Sequence, residues 1–168
     1  MARVMAVICR GLEAITCCLL TLLCVVTFLG VADRYVLHTG IGWTEELARF
    51  LLIWASFLSA TIVVHRSSHF CITFLVDMLP GAARQGVALT LRLVTIGVLG
   101  VIFVQGVRVT DIMRIQVSPA MDLPMNWIYL SLPVATALMI LFLAAQLLEM
   151  LRAMAKGRSA RRGQEAAR

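Results

Sequence analysis

Trp43-Thr44-Glu45-Glu46-Leu47-Ala48-Arg49 runs directly into Phe50–Val64, fifteen residues without a charge. Two acids, a base and a tryptophan thus stand immediately ahead of an apolar run of near membrane-spanning length. A helix needs about 20 apolar residues to cross a hydrocarbon core roughly 30 Å thick. The charged heptad therefore reads as a helix end at a membrane surface, or as a place where another protein pairs with it.

The rest of the chain supports the membrane reading. Of 168 residues, 61% are hydrophobic and 14% charged, and the mean hydropathy is +0.92. A soluble domain is about 45–50% apolar and about 25% charged. The apolar segments are continuous rather than alternating, which argues against a β-barrel. Four spans are predicted, about 14–32, 47–64, 87–107 and 127–148, followed by a basic tail over 149–168. The first span follows Arg3 and Arg10 and ends near Gly30-Val31-Ala32, as a signal peptide would. Its apolar run is longer than the ~7–15 residues of a signal core, so a retained helix is expected. Residues 69–79 are apolar but too short to cross. His69, Thr73 and Asp77 share one helical face there, so a short interfacial amphipathic helix is expected between the second and third spans. The fold class is thus an all-α membrane protein, a single integral membrane domain with four transmembrane helices.

Charge orients the spans. With both termini cytoplasmic, the inner segments hold Arg3, Arg10, Arg66, Arg84 and the six basic residues of the tail. The outer segments hold only Arg34, Arg108 and Arg114, beside Asp33, Glu45, Glu46, Asp111 and Asp122. This asymmetry follows the positive-inside rule, and Trp43, Trp127 and Tyr129 fall near the outer boundary. The formal net charge of +6 is thus largely a juxtamembrane feature that attracts lipid headgroups, and no nucleic-acid-binding fold remains to use it.

Several residues could carry function. Glu45 and Glu46 are four and three residues from Arg49, so both can reach its guanidinium on a helix. The alternatives are a self-contained helix-start pair or a site for a partner's charges. Arg92, embedded in the third span, either snorkels to lipid phosphates or pairs with Asp77 or a partner subunit. His65 and His69 have a ligand-like spacing, but no third ligand follows, so no metal or other cofactor is expected. The five cysteines, Cys9, Cys17, Cys18, Cys24 and Cys71, form no Cys-x-x-Cys pair and read as small hydrophobes. Pro133 is expected to kink the fourth span, and Gly97, Gly100 and Gly106 to permit close helix approach. No acid lies within any predicted span. An ion-coupled carrier normally keeps an ionisable group there. A stand-alone dimeric exporter would have to use Glu13, at the start of the first span.

Trp43-x-Glu45-Glu46-x-x-Arg49, Trp54, Phe57-Leu58 and Arg66-x-x-His69 together resemble the small membrane subunit, DctQ type, of the tripartite ATP-independent periplasmic (TRAP) transporters. Leu123-Pro124-Met125-Asn126-Trp127-Ile128-Tyr129-Leu130-Ser131-Leu132-Pro133 is similar to the start of that family's fourth helix. Ser59-Ala60 stands where glycine-containing pairs are frequent, and Thr73 where an acid often follows the histidine. The resemblance implies a non-catalytic subunit of the bacterial inner membrane. It would brace a large membrane subunit that imports an organic acid with sodium, the solute being delivered by a periplasmic substrate-binding protein. It makes Trp43, Glu45, Glu46, Arg49, Trp54 and Arg92 candidates for partner interfaces. Arg66, His69 and Arg84 are candidates for the cytoplasmic interface and its lipids.

Overall fold

The computed structural model describes residues 2–37, 42–67 and 81–166, with side chains over 5–36, 42–66, 86–87 and 89–150. The expected interfacial helix over 69–79, with His69, Thr73 and Asp77, lies outside the described residues, as does Cys71. Five helices are described: α1 (Ala2–Ala32), α2 (Trp43–Ser67), α3 (Gly81–Ile112), the short α4 (Asn126–Tyr129) and α5 (Ser131–Ala166). A π-helical turn, Asp33–Leu37, extends α1, and a 3-10 turn, Met113–Ile115, ends α3. Four segments are long and apolar enough to cross a membrane: Met5–Val36, Trp43–Arg66, Leu89–Ile115 and Asn126–Met150. The first begins well before Ala14. Arg10 and Glu13 do not stop the helix, because both can occupy an α-helix without breaking a backbone bond.

The helices stand in a row whose order differs from chain order. α1 packs on α2, α2 on α5, and α5 on α3. The fourth span therefore lies between the second and the third. Its most apolar window is 44% buried, against 6% for that of the third. Phe142, Leu58 and Leu12 form the core where α5, α2 and α1 meet, with Trp54, Ile62 and Leu138 packed around them. Without a hydrophobic force between helices in lipid, such packing and interhelical hydrogen bonds hold the spans together. The polar residues inside the spans are mostly self-satisfied. Thr21, Ser56, Thr90, Thr95 and Thr110 each donate a hydroxyl to the carbonyl four residues earlier.

The fourth span is interrupted three residues before Pro133, as expected of a proline inside it. α4 and α5 meet at Leu130, which keeps helical dihedrals (φ −62°, ψ −24°), donates its N–H to Asn126 O at 2.9 Å and accepts from Val134 N–H at 3.2 Å, whereas Pro133 has no N–H to give to Tyr129 O. One expectation is corrected. Gly97 and Gly100 meet no atom within 4 Å of a built Cβ, whereas Gly106 would meet Leu132 and Pro133 at 3.3 Å. The close approach between α3 and α5 is at Gly106. The cysteines also differ from a uniformly buried set: Cys9 is buried, but Cys17, Cys18 and Cys24 face outward from the chain.

α2 and α5 run parallel. Trp54 Nε1 donates to Trp127 O at 3.2 Å, and Thr61 Oγ1 to Ala135 O at 3.4 Å, at sequence offsets of 73 and 74. Trp127 is thus level with Trp54, which lies about 16 Å along α2 from Trp43 at 1.5 Å per residue. The Trp43 end of α2 stands proud of α5, and the segment 116–125 fills the step. It folds back on itself: Ser118 N–H donates to Leu123 O at 2.9 Å, Met125 N–H to Gln116 O at 2.9 Å, and Asp122 N–H to Ser118 O at 3.1 Å. Asp122 takes a φ of 51° at the turn, a left-handed conformation that aspartate tolerates better than most side chains. The loop is seated by Glu46, whose Oε2 accepts the Ala120 N–H at 3.1 Å.

Two outcomes follow from this packing. Phe142→Ala, at 1% exposure, should destabilise the protein in detergent by on the order of 3 kcal/mol. Leu141→Ala, next to it but 47% exposed, should shift thermal unfolding far less. Glu46→Ala should raise amide hydrogen exchange at Ala120 by about tenfold, the loss of a charge-assisted hydrogen bond. Arg49→Gln should leave that amide unchanged, and equal exchange in all three proteins would show that Glu46 does not hold the loop.

Candidate functional site

The charged heptad at the start of α2 is divided among different partners. Thr44 and Glu46 face inward, at 3% and 9% exposure. Glu46 is committed to the 116–125 loop through Ala120. Glu45 points out and faces Arg34 across the α1–α2 junction at 3.9 Å. Both members of that pair are largely exposed, so it contributes little to stability. Arg49 is exposed and pairs with neither acid among the described residues. The expected Glu–Arg pairs within the helix are therefore replaced by two contacts to other elements. Among the described residues, a guanidinium is left without a partner at the head of the apolar run.

Beside this cluster, the ends of α1 and α2 enclose an open cleft of about 750 Å³, lined by Val26, Gly30, Asp33, Arg34, Thr44 and Glu45, among others. The helices come close because Gly30 has no side chain: a Cβ there would lie 3.2 Å from Thr44 Oγ1. Asp33 is buried at 5% exposure. Trp43 is exposed at the tip of α2, and Trp127 on α4 is exposed one step below it. Trp54 is half-buried and spends its indole N–H on the α2–α5 seam. As a partner-interface candidate it is thus engaged internally.

At the opposite end of the row, Arg66 on α2 reaches Glu13 on α1, with Nη2 to Oε1 at 2.6 Å. The Cys9 thiol donates to the same carboxylate oxygen at 3.3 Å. Glu13 is thus tied to a guanidinium from a neighbouring helix. Arg66, expected at a lipid interface, has this intramolecular partner as well as 67% side-chain exposure. Gln146 Nε2 donates to His65 O at 3.3 Å, and the His65 ring lies 4.6 Å from that of Phe142. No group of three potential metal ligands occurs among the described residues. Arg92 is half-buried on α3. Arg84 lies in the first turns of the same helix, and its side chain is outside the described set.

Arg34 and the Glu13–Arg66 pair were not singled out from sequence as partners. Both were discoverable, because antiparallel neighbours α1 and α2 must bring Asp33-Arg34 near Glu45 and Arg10-x-x-Glu13 near Arg66. Ala120 as the partner of Glu46 carried no signal, since a backbone N–H has no sequence signature.

A family model for the DctQ component of the tripartite ATP-independent periplasmic transporters matches residues 23–153. The chain is 31% identical over 128 residues to the sialic acid TRAP transporter small permease protein SiaQ of Vibrio cholerae, covering 76% of this chain and 74% of that one. It is 38% identical over 71 residues to a protein of Haemophilus influenzae named as a TRAP transporter small permease, an alignment that spans 42% of this chain and 44% of that relative. A longer protein, the isethionate TRAP transporter permease protein DctMQ of Oleidesulfovibrio alaskensis, is 29% identical over 132 residues, 72% of this chain but 20% of that one. With four membrane-length helices and a family match over most of its length, this multi-pass membrane protein belongs to the DctQ component family of the TRAP transporters, and is a transport component rather than an enzyme.

Proposed function

We propose that the chain is the small, non-catalytic permease subunit of a TRAP-type importer, a single integral membrane domain bracing a large transport subunit in the bacterial inner membrane. The observation that carries this reading is the shape and chemistry of the helix row. A row one helix deep leaves broad apolar faces on α1 and α3 uncovered. Glu45 and Glu46 lie in the first turn of α2, and all three acids Glu13, Glu45 and Glu46 already have partners within the chain. Such a body has little with which to move a solute by itself and much surface with which to pack against another membrane protein. The DctMQ relative supports the pairing, because a region like this chain makes up one fifth of a longer permease there.

In this reading the uptake is driven by an ion gradient, with sodium as the coupling ion, and a periplasmic binding protein delivers an organic acid. Sialic acid and isethionate, named for two relatives, are both organic acids. Both termini lie in the cytoplasm, which puts Trp43, Glu45, Arg49 and the cleft beside Arg34 on the outer side. Trp43 at the tip of α2 and Arg49 two turns in, neither with a side-chain partner among the described residues, are the residues offered to a partner from that side; Glu46 acts indirectly, by shaping the 116–125 loop. Membrane lipids meet the opposite end, around Arg66 and Arg84.

Purification of the tagged chain in mild detergent, from cells that express its native neighbours, should recover a large polytopic protein with it. Recovery of the chain alone would count heavily against the proposal. A fluorescent protein fused after Arg168 should fluoresce, and alkaline phosphatase fused there should stay inactive. The reverse pattern would invert the topology and place Trp43–Arg49 in the cytoplasm.

A further inference from the structure

Gln105 is the one carboxamide near the middle of any of the four spans. Residue 102 is the midpoint of Leu89–Ile115, and Gln105 lies about 4.5 Å beyond it. Its side chain is exposed. On the same helix, Thr90, Thr95 and Thr110 each satisfy their hydroxyl on the carbonyl four residues earlier. Gln105 has no such bond and no other hydrogen-bond partner among the described residues. At that depth neither water nor a lipid tail can supply one, and an amide left bare in hydrocarbon is costly.

Rotation tells where this amide points. Gly106 is the residue of α3 that approaches Leu132 and Pro133 on α5. Val94, Gly97, Val101, Val104 and Arg108 are spaced three and four residues apart, and at about 100° per residue they fall roughly half a turn round α3 from Gly106. All five are exposed, as is Gln105 at the edge of the same face. This spacing suits the shallow crossing at which spans pack side by side. A Cβ on Gly97 would meet nothing within 4 Å, so the face is open at its middle. Arg108 has no ion pair among the described residues, and Asp111 beyond it is engaged by Arg114 at 3.2 Å. The uncovered face of α1 makes no comparable demand: Met5–Val36 holds no Asn or Gln, and Thr21 donates to Cys17 O.

We infer that this face of α3 docks on a membrane-spanning helix of the large transport subunit, a step that rests on the proposed bracing role. The partner helix presents a hydroxyl, amide or carbonyl opposite Gln105 and a carboxylate level with Arg108. A second copy of this chain does not fit. Copies inserted in one membrane run parallel, so a symmetric pairing would set each Arg108 against the other. Lipid tails fit the valines but leave the amide bare.

The test uses the tagged full chain, expressed with its native neighbours and purified in mild detergent, with the co-purifying large membrane protein quantified. Val101 is 63% exposed, so the chain alone should unfold at an unchanged temperature after Val101→Trp. The bulk on the docking face should nevertheless cut recovery of the large protein about tenfold. Val25→Trp, on α1 at 59% exposure, should leave recovery as in wild type. Gln105→Leu should lower it about threefold, the loss of one hydrogen bond between spans, without destabilising the chain alone. Undiminished recovery with Val101→Trp would overturn the docking face and leave the bracing role standing. Recovery of no large protein with the wild-type chain would overturn both. A dimer of the chain alone that Gln105→Leu dissociates would overturn the large subunit as the occupant of this face.

Discussion

The seam between α2 and α5 is the contact on which the rest of the structure depends. Three side chains donate across it to backbone carbonyls at three heights: Trp54 to Trp127, Thr61 to Ala135, and Gln146 to His65. Each such bond in a membrane is worth only about 1 kcal/mol, but together they fix both register and rotation. The Phe142–Leu58–Leu12 core sits on the same seam. Because α3 meets the row through α5 and the 116–125 loop through Glu46 on α2, a slip along this seam would displace both.

The offset of that seam also explains the backbone of the loop. With Trp127 on α4 level with Trp54, the segment between Ile115 and Asn126 lies beside the first turns of α2, with Ile115, Val117 and Leu123 exposed. Irregular backbone near a membrane must find its hydrogen bonds within the protein. The paired N–H groups of Ser118, Asp122 and Met125, and the Glu46 carboxylate under Ala120, supply several of them. An acid that looks from sequence like half of a surface ion pair thus serves as an acceptor for the Ala120 N–H of this loop.

Much of this was legible in the sequence, because a span is a property of composition. The four apolar runs and the family resemblance come from local residue identity, whereas the start of the first span at Met5, which brings Glu13 inside it, was not read. Rotation and stagger do not follow from residue identity. α3 is apolar on every side, so nothing in its pattern distinguishes the face of Gly106 from those of Gly97 and Gly100. The destination of Glu46 lies 74 residues away and depends on how far α2 overshoots α5. Pro133 was legible as the point where the fourth span loses a backbone bond, because proline has no N–H to donate.

The row order, with the last span between the second and third, has a consequence for biogenesis. Spans leave the ribosome in chain order, so α1 and α2 can pair as soon as both are in the bilayer. α3 then enters with no neighbour to receive it, since α5 provides its main packing surface. Until α5 is made, the third span must survive as a lone helix, drifting in lipid or resting against the insertion machinery. Its arrival is the step that turns a helical hairpin and a stray span into one body, and a chain interrupted within α5 would expose α3 to quality control.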